Sequence, residues 1–433
     1  MSVWRRAISA AAVVLAAGCK DTITVNGRVV NHLGIPLEHA NVMIGAYGQH
    51  EPAFTGADGR FTVKDVEKPY DAQVSFVPTC LGHMVVYQGL KRSDPVLTVI
   101  GALPTANYQS CPPNPWSAEI AGALSGGTGF MAGHLSRVAF SAQDFISWGA
   151  YAAADGNFSS PVAWTGRDSV SGDLHALQWQ EDANGLPATY TGYGTRPGVV
   201  VTAGASLTGQ DVALASVVTG QVSGTATVPA GYLDVMRTLG LRLGGYGYLP
   251  ILEESPTPAA SFTYQVPQVS GAKVAVRVWA TNAAGDVSTS NRTLAPGAPA
   301  ASLVLPEAVA LLQPPAAATG VMPGARFEWT PFTGGVYIFA LAQVYGQTIL
   351  PQITAVTAAT SFASLPRSGV FCGMPCGSLG DQFIWGVSAS TRYPTVDAAA
   401  GGPIDLNYSG AGAFDADFDA AMSGPRVLYT AAR

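Results

Sequence analysis

Charge is scarce in this chain of 433 residues: Asp, Glu, Lys and Arg make up 12% of it, with 22 basic side chains against 28 acidic ones. No run or patch of Lys and Arg occurs, which excludes the electrostatic footprint of a nucleic-acid-binding protein. Lys and Glu, the usual surface residues of helices, are few, whereas Gly (50) and Pro (30) are abundant. The six histidines (32, 39, 50, 83, 134 and 175) never stand as His-Glu-x-x-His, and no Gly-x-Ser-x-Gly elbow is present. Zincin and α/β-hydrolase chemistry therefore have no sequence basis, and no cofactor motif appears. Beyond residue 17 there is no uninterrupted apolar run of membrane-spanning length. The longest candidates, 199–218 and 334–365, are broken by Thr, Gln, Gly and Pro. An apolar fraction of 48% argues against disorder. What remains is an all-β chain of many short strands joined by turns, long enough for roughly three to four domains.

The first residues read as an export signal: Arg5 and Arg6, an apolar run from Ala7 to Ala17 interrupted only by Ser9, then Gly18-Cys19. That run is too short for a hydrocarbon core of about 30 Å. Leu15-Ala16-Ala17-Gly18-Cys19 resembles a bacterial lipobox, with Ala16 where Leu is more usual; the plainer alternative is an ordinary signal peptide followed by a chance cysteine. The resemblance implies removal of residues 1–18, a diacylglycerol on the Cys19 thiol, and a lipid bilayer as the partner of the acylated Cys19. Two or more acyl chains give stable anchoring. Lys20, rather than Asp, after the cysteine implies retention in the outer membrane of a Gram-negative bacterium. Without Arg5 and Arg6 the balance becomes 20 basic against 28 acidic, a net charge of −8.

Four further cysteines, Cys80, Cys111, Cys372 and Cys376, form an even set in an exported chain and suggest disulfides. Three pairings are open; proximity favours Cys80 with Cys111 and Cys372 with Cys376. A four-thiolate zinc site wants two close pairs, and only one exists.

Residues 23–31 alternate apolar and polar. They are followed by Gly34-Ile35-Pro36-Leu37, Ala40-Asn41-Val42, Asp58-Gly59-Arg60-Phe61 and Tyr70-Asp71-Ala72-Gln73-Val74. Asp-Gly between alternating segments is a hairpin signal. This order resembles the carboxypeptidase regulatory-like domain, a non-catalytic, transthyretin-like β-sandwich, and implies that fold for residues 20–104. The grammar recurs. Gly122 answers Gly27, Asp155-Gly156-Asn157-Phe158 answers Asp58 to Phe61, and a third round opens at Gly220 and reaches Phe262 without an Asp-Gly turn. The expected layout is a linker at 105–117, a second sandwich at 118–217 and a third at 218–307. From 308 to 433 the pattern, with Phe327-Glu328-Trp329 and Val336-Tyr337-Ile338-Phe339 early and Phe383–Ser388 and Arg426–Thr430 late, resembles a fibronectin type III-like sandwich.

Three candidate sites follow. Tyr190 and Tyr193, in a loop-like cluster with Trp148, Trp164 and Trp179 in the same repeat, are candidates for stacking on sugar rings, against the alternative that they fill the core. Asp415, Asp417 and Asp419 offer three carboxylates at alternate positions for calcium, against the alternative of a solvated acidic loop. Asn157, Asn291 and Asn407 match glycosylation acceptors, a reading a bacterial lipoprotein does not need. The expectation is a non-enzymatic, lipid-anchored surface or periplasmic protein with modules projecting in series from Cys19. Its role would be structural, adhesive or ligand-binding, its partners cell-envelope proteins or glycans. The alternative is an accessory carbohydrate-binding protein of a polysaccharide uptake or secretion assembly.

Overall fold

The computed structural model describes residues 21–32, 34–45, 49–76, 83–99, 116–127, 134–142, 145–146, 149–164, 168–243, 248–255, 259–322, 324–345, 348–363, 381–404 and 416–430. Strands dominate, and the one helix among these residues is a single turn, Val396–Ala399. The chain is all-β and built from tandem β-sandwiches. Cys19, the four other cysteines, Trp148, Asn407 and Asp415 lie outside the described residues.

The repeated sequence grammar corresponds to a repeated three-strand arrangement. Strand Thr22–Asn31 pairs antiparallel with Arg60–Glu67 and parallel with Val96–Val99. Strand Trp116–Gly126 does the same with Asn157–Trp164 and Val212–Leu214, and Val218–Thr227 with Ser261–Gln268 and Ala301–Val304. A glycine faces a phenylalanine at the same point of each: Gly27 opposite Phe61, Gly122 opposite Phe158, Gly224 opposite Phe262. A Cβ on Gly27 would lie 2.2 Å from the Phe61 ring, and one on Gly224 would lie 2.5 Å from the Phe262 ring. In these two rounds the glycine is there because the ring crosses the strand where a side chain would stand. This corrects the expected start of the third round, since Gly220 faces Val266 and the equivalent position is Gly224.

The turn before each phenylalanine strand explains the Asp-Gly signal and its loss. The Asp58 carboxylate accepts the Arg60 N–H at 3.0 Å and the Asp155 carboxylate accepts the Asn157 N–H at 3.0 Å, with Gly59 and Gly156 at positive φ. The carbonyls of those glycines accept the N–H of Val29 and Leu124. In the third round the carbonyl of Ala260 accepts the N–H of Ala226 at 2.7 Å, so the backbone bond persists without the Asp-Gly turn chemistry.

In the last module Arg326–Trp329 pairs with Leu311–Gln313 and Ser361–Ala363, facing a sheet that contains Val336–Tyr345, Thr348–Thr357 and Gln382–Ser390. Its core is aromatic: Phe339 stacks on Phe362 with centroids 4.8 Å apart, and Phe327 meets Phe339 at 4.9 Å and Trp385 at 5.1 Å. Trp329 is buried among them, as its sequence context predicts.

The modules do not simply project in series. Strands from the first, third and last modules belong to one 14-stranded sheet. Its junctions are Val287–Leu294 against Phe418–Met422, antiparallel, and Thr348–Thr357 against His83–Leu90, parallel. The second junction joins the beginning of the chain to its end, with Met84 to Tyr87 in register with Ile353 to Val356. The cores follow. The first module's core takes in Val336, Ile338, Val356, Val396, Ala399 and Ile404, while Met84 and Val86 enter the last module's core. The second module contributes Ala139, Leu177, Trp179 and Tyr190 to the core of the third. The expected row of modules returns on itself because apolar sheet faces at both ends of the chain bury each other.

Candidate functional site

Tyr190 and Tyr193 lie on strand Pro187–Thr202, not in a loop. Tyr190 is 2% exposed, packs against Trp179 with centroids 6.5 Å apart, and donates its backbone N–H to the Thr219 hydroxyl oxygen at 2.8 Å. Burial raises its phenol well above the ordinary tyrosine range. It is an anchor between the second and third modules, so its expected role as a sugar platform is corrected. The reason is that the strand's inward face is covered by the neighbouring sandwich. Tyr193 is half-buried. Its hydroxyl sits 3.2 Å from His175 Nδ1, and burial pushes its phenol up to about 12. His175 is 4% exposed, and desolvation pushes its imidazole down to about 4, opposed by the Asp173 charge. Trp164 and Trp179 are buried as well. The aromatic surface of this module lies elsewhere, at Trp116 (38% exposed) and Tyr151 (53% exposed). The Arg137 guanidinium covers Tyr151 at 4.9 Å.

Asp417 and Asp419 of the acidic triplet are likewise engaged. The Asp419 carboxylate accepts the Ser290 hydroxyl at 2.7 Å and pairs with Arg292 at 2.9 Å, and the Asp417 carboxylate accepts the Thr293 N–H at 2.7 Å. Both stitch the last module to the third. The calcium expectation for these two is corrected because their oxygens face an arginine, a hydroxyl and a backbone N–H across a strand junction. Among the described residues no three His, Cys, Asp or Glu side chains gather as a metal site.

One open concave feature among the described residues is a groove of about 740 Å³ where the first and last modules meet, lined by Gln88, Lys91, Arg326, Thr357, Ser361, Thr395 and Asp397. Gly89, Ala358, Ala359 and Ala363 keep its walls low. The Asp397 carboxylate accepts the N–H groups of Lys91 at 2.9 Å and Arg92 at 3.1 Å, and the Arg92 guanidinium donates to the Asp397 carbonyl at 2.7 Å. Arg326 pairs with Glu328 at 2.7 Å. The groove offers hydroxyls, an amide and mixed charge to a polar ligand. No local motif announces these residues, because they come from four separate stretches that only the parallel junction brings together.

Fold and site together define a protein of tandem β-sandwiches in which sheet continuity joins the first, third and last modules and core packing joins the second to the third. No protein-family model matches the sequence, and no curated protein matches it. Among solved structures it is similar to the Bacillus anthracis TIE protein at 10% identity, TM-score 0.15, over 85% of this chain and 69% of that one. A Streptococcal ancillary pilin aligns at 9% identity, TM-score 0.15, over 66% of this chain and 99% of that one. A Ca2+-stabilized adhesin with which an Antarctic bacterium binds ice aligns at 13% identity, TM-score 0.13, over 92% and 91%. Likenesses this low carry nothing about activity.

Proposed function

We propose that this is a non-enzymatic, lipid-anchored protein of the bacterial cell envelope with a structural, adhesive or ligand-binding role. The observation that carries the reading is how closely the lipobox cysteine precedes the framework. Cys19 stands three residues before strand Thr22–Asn31, and Asp21 already pairs with Lys68 at 3.4 Å. An acyl chain on Cys19 would therefore seat the first sandwich on the bilayer without a long spacer, and with it the last module. The outer membrane is the retention expected from Lys20, and Cys80, Cys111, Cys372 and Cys376 remain the proposed disulfide set.

The test is Cys19→Ser in the full precursor. Incorporation of labelled palmitate should vanish and the protein should leave the membrane fraction or remain uncleaved; continued labelling would overturn the anchor. The accessory carbohydrate-binding reading is favoured at the groove, whose Gln88, Thr357, Ser361 and Thr395 suit a hydroxylated chain. Glycan-array binding lost in Gln88→Ala/Thr395→Ala would support it, and binding unchanged by that pair would remove the groove as the sugar site.

A further inference from the structure

We infer that the second sheet of the first module is an interaction surface whose partner is the last module of the same chain, and that the first module does not close its core until the last module is in place. The first module's sandwich consists of Thr22–Asn31, Arg60–Glu67 and Val96–Val99 on one side and Asn41–Ile44, Ala53–Phe54, Tyr70–Phe76 and His83–Leu90 on the other. Within the second sheet His83–Leu90 has a neighbour from its own module on one edge only; the other edge is taken by Thr348–Thr357. The two faces of His83–Leu90 divide between two cores. Val85 and Tyr87 belong to the first module's core, Met84 and Val86 to the last module's.

The helical turn then plugs the open end of the first sandwich. Val396, Ala399 and Ile404 are each 5% exposed or less inside the first module's core. Two hydrogen bonds fix the plug: the Val96 N–H donates to the Ala400 carbonyl at 2.7 Å and the Ile404 N–H to the Thr98 side-chain hydroxyl at 3.0 Å. The Asp397 carboxylate caps the N–H groups of Lys91 and Arg92 from the same turn. Without the last module, buried valines and a strand edge of the first module would face water, which is costly for a domain of this size. The module nearest the proposed anchor thus matures after the most distal sequence has folded.

The chain carries its own reporter. Its five lysines are Lys20, Lys64, Lys68, Lys91 and Lys273, so a lysine-specific protease reads the first module at Lys64 and the third at Lys273. The experiment uses the full mature chain and Ile404→Asp, which places a charge in the shared core without altering a lysine. Cleavage at Lys64 should rise about a hundredfold or more, because proteolysis tracks the open population, while Lys273 stays protected. Asp397→Ala, which keeps every apolar contact, should raise Lys64 cleavage about tenfold, in line with lost hydrogen bonds to a charged acceptor. Lys64 staying as resistant as in the unaltered chain in both variants would overturn the inference. Lys273 exposed along with Lys64 would also overturn it, since the terminal modules would then not form a unit of their own. Neither readout depends on lipidation or on a ligand, so it stands apart from a failure of the proposed function.

Discussion

His175 and Arg237 are two titratable side chains buried among apolar neighbours. A histidine whose imidazole takes up a proton at about 4 in the folded chain and at 6.5 when exposed makes the unfolded chain the better base between those values. Its contribution is whole above pH 6.5, falls as pH drops through that window and is gone below about 4, a loss of about 3 kcal/mol. Urea denaturation at pH 7 and pH 4.5 should reveal this slope in the module containing residues 116–217, and His175→Gln should flatten it. Arg237, 3% exposed, pairs with Glu254 at 2.8 Å, donates to the Ala259 carbonyl at 3.0 Å and lies over Phe262 and Tyr264. Arg237→Met would leave the Glu254 carboxylate without its cation, and about 3 kcal/mol of stability should go, read as a lower denaturation midpoint. Neither role was legible in the sequence. His175 sits among apolar neighbours like any strand histidine, and Glu254 lies in an unremarkable Leu-Glu-Glu run on the neighbouring strand.

The element scale is where the sequence spoke most clearly. Alternation and Asp-Gly turns have local causes, a strand's two-residue period and glycine's tolerance of positive φ, so the opening and phenylalanine strands could be read directly. The third round opens in sequence at Gly220, four residues before Gly224, because sequence resemblance does not distinguish a strand glycine from the one that a ring must cross. Gly27→Ala tests that cause. The added methyl should push Phe61 aside and cost about 1–3 kcal/mol, and Gly27→Ala/Phe61→Leu should cost less than the sum of the single changes. The same substitution at Gly220, opposite Val266 and with the flexible Gln268 side chain nearest to the added methyl, should be milder. The aromatic candidates failed for the converse reason. Alternation identifies that one face of Pro187–Thr202 is inward but not what lies against it, and here that is another module.

At the scale of the molecule, the meeting of residues separated by most of the chain is invisible to any local pattern. Met84 and Ile353 are ordinary strand residues, and only the pairing makes them neighbours. If the terminal modules form one unit, the amides of Met84 to Tyr87 and of Ile353 to Val356 should exchange with a common opening free energy by native-state hydrogen exchange. Distinct values for the two stretches would contradict that unity. The junction also settles how a mechanical load would travel. Its strands run parallel, so a pull applied to the last module along the strand direction shears several backbone bonds at once instead of peeling them singly. A pull between the last module and the strand that begins at Thr22 would load this short parallel seam in shear, whereas the antiparallel junction of Val287–Leu294 with Phe418–Met422 ties the third module to the same sheet by a separate route.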